Sequence, residues 1–183
     1  LTCGNTVNLS LIQGMDEHAF PLKTLGDALA LQSHIMEQLE KAEVCENAAI
    51  RASYLTFLVV GGGFSGVEVA GEINDLVKSS ARYFHNFKAS DIKVVIVHSG
   101  KAILPEVGEN LRQFARREME KAGVEVKLEA VAAKATKEGL RLTDGSLMKA
   151  ATVVCTIGTT SVPLIAKLNL PKNRGRLITQ PDM

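Results

Sequence analysis

The chain has 183 residues, of which 46% are hydrophobic, and it is therefore long enough to bury a substantial core. Its 21 basic and 20 acidic residues leave a net charge of +1, which excludes a strong overall field for nucleic acid or for an acidic membrane surface. No apolar run reaches the roughly 18 residues of a membrane span, and no secretion signal opens the sequence, so neither feature is expected within this chain.

The cysteines indicate a reducing compartment. Cys3, Cys45 and Cys155 are far apart in the sequence, with no C-x-x-C pair and no histidine at metal-ligand spacing. We therefore expect reduced thiols, a cytoplasmic location and no metal site. Cys155 lies in an apolar run over 152–157, where we expect it to act as a small buried hydrophobe.

A helix is predicted after the N-terminal region, whose residues 1–23 show no lasting periodicity. Apolar side chains recur at helical spacing over 24–43. Thr24 can cap this helix, and Asp27 is well placed for the exposed N–H groups and the positive helix end. Residues 44–53 are interpreted as a connector.

The next pattern predicts a β-α-β unit. An apolar run over 57–60 indicates a buried strand, a glycine turn follows, and a long amphipathic helix is expected over about 65–87. A second buried strand is expected over 92–97.

The second half continues the alternation of helix and strand. A helix is expected over 109–122 because Gly123 is a good C-terminal stop, and a third strand follows over 124–128. Short alternating runs divided by glycine turns predict a small antiparallel meander between 130 and 148. A buried strand is expected over 151–157.

The glycine turn after the first buried strand has the composition of a phosphate-binding loop. Gly61, Gly63 and Gly66 form GxGxxG. In this motif the first glycine permits a tight turn, the second lets the backbone approach a pyrophosphate, and the third lets helix and strand pack closely. The helix N-terminus offers free N–H groups to the anion. The strand before and the helix after favour a dinucleotide-binding motif over an ordinary glycine-rich turn.

Three segments carry a resemblance to a known family: VVGGGFSGVEVAGE at 59–72, KVVIVHSGKAILPEVGENL at 93–111 and TVVCTIGTTSV at 152–162. Their order resembles the NAD(P)H-binding domain of the pyridine nucleotide-disulfide oxidoreductase superfamily, which are flavoproteins that bind two dinucleotides. The resemblance implies an α/β, Rossmann-like three-layer FAD/NAD(P)-binding fold, with a central parallel sheet and a small antiparallel β-meander.

Within the superfamily, two features are most similar to the type II NADH dehydrogenases, single-subunit FAD enzymes that pass electrons from NADH to a quinone. Residues 76–93 form a longer helix region than disulfide reductases have at that place, and residues 19–43 look like the helix that precedes the NADH domain. The resemblance implies an FAD-dependent NAD(P)H oxidoreductase with quinone or another electron acceptor. Disulfide exchange is a poorer fit because no cysteines are paired.

The resemblance also implies that the chain is a partial protein. It assigns 1–23 to the remnant of a flanking FAD domain, 24–50 to a connecting helix and linker, 51–170 to the NAD(P)H-binding domain, and 171–183 to the return into the FAD domain. The flavin motifs that should flank these segments are absent, so we expect FAD only in the full-length protein and no turnover by this piece alone. A homodimer and a peripheral location of the full-length protein on the inner face of a membrane are also consistent with the family. A nucleotide-sensing, flavoprotein-like interaction module is the alternative from another functional class.

The resemblance places the nucleotide site on Gly61, Gly62, Gly63, Phe64, Ser65, Gly66, Glu68, His98, Ser99, Lys101, Ile157 and Gly158. It implies that Glu68 lies near the nicotinamide and helps to position it, although the helix dipole favours an acid near a helix N-terminus in any protein. No catalytic residue is expected, because hydride passes between the two cofactors and the protein supplies alignment and electrostatics.

His98 departs from the family pattern, since NADH-selective members usually have Glu there to accept hydrogen bonds from the adenosine ribose. The missing carboxylate also argues against FAD as the ligand of this motif. His98, Ser99 and Lys101 could instead bind the 2′-phosphate of NADPH through charge-assisted hydrogen bonds. Gly66 conflicts with that interpretation, because Ala more often accompanies NADPH at this position. NADH is the first expectation and NADPH the alternative, and His98 could also simply cap a strand.

Overall fold

The structure is a computed structural model that describes residues 4–173 and 175–180, so the predicted free thiol of Cys3 lies outside the described residues. In chain order the strands are β1 (Asn5–Val7), β2 (Phe20–Pro21), β3 (Thr56–Val60), β4 (Lys93–Val97), β5 (Val124–Lys127), β6 (Ala132–Thr136), β7 (Gly139–Leu142), β8 (Leu147–Lys149), β9 (Thr152–Cys155), β10 (Thr159–Ser161), β11 (Lys172–Asn173) and β12 (Arg176–Leu177). The α-helices are α1 (Met15–His18), α2 (Leu25–Val44), α3 (Ala48–Tyr54), α4 (Phe64–Ser80), α5 (Glu109–Ala122) and α6 (Pro163–Lys167).

A parallel sheet of five strands lies at the centre, in the order β2-β9-β3-β4-β5. The pairing of β3 with β4 runs from Thr56 opposite Lys93 to Val60 opposite Val97, so both strands end at the same edge. β6, β7 and β8 form a separate antiparallel sheet. These sheets confirm the predicted α/β class, the β-α-β unit and the meander.

The central sheet is covered on both faces, which makes three layers. Phe57 and Val59 of β3 pack into a core with α2 and α4, whereas Leu58 and Val60 pack against the meander and Met15. Successive side chains of a strand point to opposite faces. The continuous apolar run of β3 is therefore explained by burial on both sides, as is usual for a parallel sheet.

The predicted start of α2 is confirmed by a complete capping box. The Thr24 hydroxyl accepts from the Asp27 backbone N–H at 3.1 Å, and the Asp27 carboxylate accepts from the Thr24 N–H at 2.8 Å. The backbone hydrogen bonds from Thr24 and Lys23 lower the pKa of the Asp27 carboxyl group.

Two predicted element bounds are wrong. The connector over 44–53 contains α3, whose N-terminus is capped by the Asn47 side chain. The helix predicted to reach residue 87 ends as α4 at Ser80 and continues only as a short 3₁₀ turn. The chain after this turn is held elsewhere, because the backbone N–H groups of His85 and Asn86 donate to the carboxylate of Glu43.

The predicted helix α5 agrees with the structure. Helix α5 has the predicted bounds, and Gly123 ends it in the left-handed conformation with φ of +90°. The segment before Thr24, which shows no periodicity in the sequence, contributes the edge strand β2 and the fully buried Met15. Among the described helices, none is long and apolar enough to cross a bilayer.

Candidate functional site

The candidate site lies where the direction of winding of the central sheet changes. From β3 the chain goes through α4 to β4 and then to β5 on one side, whereas β9 and β2 lie on the other side. The loops that leave β3 and β9 therefore lie side by side at the carboxyl edge of the sheet, where this change occurs. In open parallel sheets such a switch point forms the crevice in which ligands bind. The glycine loop follows β3, and residues 156–158 follow β9.

Gly61 turns the chain out of β3 beneath this crevice. Its φ of +120° belongs to a region that only glycine adopts easily. A Cβ at this position would lie 2.6 Å from Oγ1 of Thr156 and 2.7 Å from Cγ2 of Ile157. The loops after β3 and β9 are thus in direct contact, and the contact depends on the absence of a side chain.

The other two glycines of the motif have different surroundings. A Cβ on Gly66 would overlap the carbonyl oxygen of Gly61, so the first turn of α4 packs directly on the end of β3. A Cβ on Gly63 would meet no atom within 4 Å. Gly63 is the N-cap of α4, and no side chain of the described residues caps this end. The first-turn N–H groups of α4 are therefore left without a side-chain cap, and the space beside Gly63 is open, as an anion site requires.

His98 follows β4 and contacts the glycine loop. The backbone N–H of Gly62 donates to Nδ1 of His98 at a distance of 3.1 Å. Because a backbone N–H can only donate, Nδ1 is unprotonated in this arrangement and the ring carries its proton on Nε2. The ring is half-buried, and the strand before it ends where the His98 N–H donates to the carbonyl of Lys127.

A cavity of about 310 Å³ opens beside the glycine loop. It is lined by four residues that the sequence predicted for the site, and by others that it did not predict. The predicted ones are Gly61, His98, Ser99 and Ile157; the others are Leu11, Ile12, Val60, Val97, Ala130, Val131 and Ala132. The lining is mostly apolar with a few polar groups, which is typical of a small-molecule site. The residues after β5 could have been found from the sequence, because a third parallel strand must end at the same edge.

The remaining predicted residues lie around this centre. Phe64 and Ser65 are exposed on the first turn of α4, and Gly158 contacts the N-terminal segment, where its carbonyl accepts from the N–H of Asn8. Lys101 is exposed and does not line the cavity. Glu68 is not brought to the cavity, because it lines a separate groove between α2 and α4.

Cys155 lies directly beneath the site at the end of β9 and is 2% exposed, as predicted for a small buried hydrophobe. Burial raises the pKa of its thiol. A thiol in this state is a weak nucleophile. Cys155 is therefore not a candidate nucleophile for this site.

Comparisons with known proteins agree with this geometry. A family model described as pyridine nucleotide-disulphide oxidoreductase matches residues 1–183. The type II NADH:quinone oxidoreductase NdhA of Mycobacterium tuberculosis is 34% identical over 173 residues, which cover 88% of this chain and 37% of that protein. The type II NADH:quinone oxidoreductase Ndh of the same organism is 34% identical over 129 residues, 70% of this chain and 28% of that protein.

Solved structures show the same fold. The structure of NDH2 from Plasmodium falciparum in complex with NADH has a TM-score of 0.82 at 22% identity, and the match covers 92% of this chain and 36% of that one. The matches thus span between 28% and 37% of the length of these similar proteins.

Proposed function

The chain belongs to the pyridine nucleotide-disulphide oxidoreductase family, and we propose that it is the NADH-binding part of a type II NADH:quinone oxidoreductase. In this proposal the complete protein passes hydride from NADH to FAD and electrons on to a quinone. The similarity to the mycobacterial enzymes over most of the chain supports this choice of subfamily.

One observation carries the proposal: an uncapped helix N-terminus and a mostly apolar cavity meet at the switch point of a parallel sheet. The open space in front of Gly63 and the first-turn N–H groups of α4 suit a pyrophosphate. The cavity beside them suits the adenosine half of the ligand, with His98 and Ser99 as its polar groups. The residues present therefore fit a nicotinamide dinucleotide.

The residues of the chain would hold and orient the ligand without taking part in proton transfer. Gly61 to Gly63 provide a backbone surface for the phosphates, and Ile157 and Gly158 close the site from the β9 side. Glu68 lies in the groove between α2 and α4, outside the cavity, and its proposed role in placing the nicotinamide follows from the family alone. The bound dinucleotide would supply the hydride, and the flavin of the complete protein would accept it.

The surroundings of His98 favour NADH over NADPH. While Nδ1 accepts from Gly62, the ring is neutral and provides no positive charge for a 2′-phosphate. Lys101 is exposed, where a charge pair contributes at most about 1 kcal/mol. NADPH remains the alternative ligand, with Ser99 and Lys101 as its expected contacts.

The parts of the proposal that concern the complete protein follow from the family alone. They are the FAD-domain segments at 1–23 and 171–183, the linker at 24–50, the nucleotide domain at 51–170, the quinone acceptor, a homodimer, and a peripheral location on the inner face of a membrane. NADH:quinone activity of the FAD-loaded full-length protein would test the acceptor.

The nucleotide site is tested by calorimetric titration of the purified chain with NADH and with NADPH, in parallel with a Lys101→Gln variant. We expect tighter binding of NADH, and nearly equal NADH affinity in the variant. If NADPH binds more tightly than NADH, and Lys101→Gln weakens the binding of NADPH, the protein is specific for NADPH. If neither NADH nor NADPH binds, the proposed function is overturned.

A further inference from the structure

We propose that His98 and Leu104 hold Gly62 from both sides and thereby fix the glycine loop in its binding shape, so that His98 acts as a positioning residue and not as a ligand contact. This inference rests on the proposed nucleotide site. It concerns a residue that the family pattern would assign to the ribose.

Both polar groups of the Gly62 backbone are bonded to the segment after β4. The Gly62 N–H donates to Nδ1 of His98 at 3.1 Å, and the Gly62 carbonyl accepts from the Leu104 N–H at 2.7 Å. Gly62 is buried, so loss of either partner would leave a backbone group without a hydrogen bond. Gly63, the next residue, is the N-cap of α4, and a Cβ on it would project into open space.

The contact of His98 with the loop is also steric. A Cβ on Gly62 would lie 2.8 Å from Cγ of His98 and 3.1 Å from Cγ2 of Ile103. The ring therefore packs directly against the loop backbone, and a small residue at 62 lets it do so. Its other side faces Gly100, where a Cβ would lie 2.7 Å from Nε2.

The segment that holds Gly62 is itself fixed by several bonds. Leu104 is buried and has a φ of +50°, a conformation that costs free energy for a residue with a side chain. Its carbonyl accepts from the N–H of Val107, and the His98 carbonyl accepts from the N–H of Ala130. A strained residue kept in place by its surroundings is expected where backbone direction matters for function.

The two nitrogens of the ring distinguish positioning from ligand contact. Asn places its side-chain oxygen close to the place of Nδ1, where it can accept from Gly62, whereas Gln places its amide NH2 close to the place of Nε2, where it can donate as the ring does. If His98 acts through Gly62, His98→Asn should bind NADH within about twofold of the wild type, and His98→Gln and His98→Leu should bind about tenfold more weakly. The ratio of NADH to NADPH affinity should not change, because the loop serves both.

Hydrogen exchange of the Gly62 amide in the nucleotide-free protein provides the second measurement. We expect exchange to be faster in His98→Gln and His98→Leu than in the wild type and in His98→Asn. If the wild type binds neither nucleotide but the exchange rates of the Gly62 amide follow the expected order, the proposed function fails. The inference that His98 holds the glycine loop is then still supported.

Three results would overturn the inference itself. The first is equal exchange of the Gly62 amide in all variants. The second is wild-type nucleotide affinity in His98→Gln together with weak binding by His98→Asn, and the third is a loss of affinity in the variants for NADPH alone. The second would show that Nε2 contacts the ligand, and the third that the ring contacts the 2′-phosphate.

Discussion

The side-chain hydroxyl of Thr156 donates to the carbonyl oxygen of Val60 at a distance of 3.0 Å. The Thr156 backbone N–H donates to the same oxygen, also at 3.0 Å, and so the end of β9 is bonded twice to the end of β3. These strands belong to the two halves of the sheet that diverge at the switch point. Thr156 therefore supports Gly61, which lies directly above it.

We expect Thr156→Val to destabilise the fold by about 1 kcal/mol, because it removes one hydrogen bond while nearly keeping the shape of the side chain. The Val60 carbonyl retains the backbone bond, so a larger loss is not expected. Urea unfolding measures the change, and Thr156→Ser, which keeps the hydroxyl, is the control. A loss in Thr156→Ser together with wild-type stability in Thr156→Val would mean that packing of the methyl group, and not the hydrogen bond, stabilises this junction.

Gly61→Ala should destabilise the fold strongly. The new Cβ would lie 2.6 Å from Thr156 Oγ1, and alanine would have to adopt a φ of +120°. Overpacking costs about 1–3 kcal/mol, and a strained backbone conformation costs a similar amount. Thermal unfolding followed by circular dichroism would measure the loss. A melting temperature equal to that of the wild type would contradict the geometry of this turn.

Gly63→Ala is the matched comparison, since it adds the same methyl group two residues further along. No atom lies within 4 Å of this Cβ, and the φ of −78° suits alanine. Alanine is a poorer N-cap than glycine, so we expect the free energy of unfolding to fall, but by no more than about 1 kcal/mol. Nucleotide binding should nevertheless weaken, because the methyl group projects toward the space assigned to the pyrophosphate. Calorimetry separates the two effects, and unchanged NADH affinity would place the phosphates elsewhere.

The elements that could be predicted from the sequence are those with local signals. Thr24 and Asp27 cap α2 through residues three positions apart, and Gly123 ends α5 through its own backbone conformation. The end of α4 has no such signal. The path of the chain after α4 is set by Glu43, whose carboxylate accepts from the backbone amides of His85 and Asn86. These residues lie 42 and 43 positions away from Glu43 in the sequence. The cap of α3 by Asn47 is local, and the sequence could have revealed it.

The site shows the same division. The turn through Gly61 and the N-terminus of α4 follow from the GxGxxG spacing and were predicted. The role of His98 depends on Gly62, which is 36 positions away, and no spacing rule indicates that Nδ1 points at the loop. Ala130 and its neighbours follow the third parallel strand, so their place at this edge of the sheet could have been predicted. That they line a cavity depends on the packing of the meander, which is a property of the tertiary fold.

His34 makes stability depend on pH. Its Nε2 lies 3.0 Å from Oγ1 of Thr152, and its ring centroid lies 4.4 Å from that of Phe20. Burial lowers the pKa of His34 from its ordinary value of 6.5, because the charged ring would be poorly solvated. As the pH falls below 6.5 the unfolded chain binds this proton more readily than the folded one. The neutral His34 ring therefore makes its full contribution to stability above pH 6.5. This contribution is lost as the pH falls through the pKa of His34 in the folded protein.

The expected result is a smaller difference in the free energy of unfolding between about pH 7.5 and about pH 5.5 in His34→Gln than in the wild type. Urea unfolding at the two pH values measures it, and the other histidines are present in both proteins, so their contributions cancel. His85→Gln is the control, because it removes a histidine whose side chain is 90% exposed. If His34→Gln keeps the full pH dependence of the wild type, acid sensitivity of this fold must arise from other groups, and the burial of His34 would not be its cause.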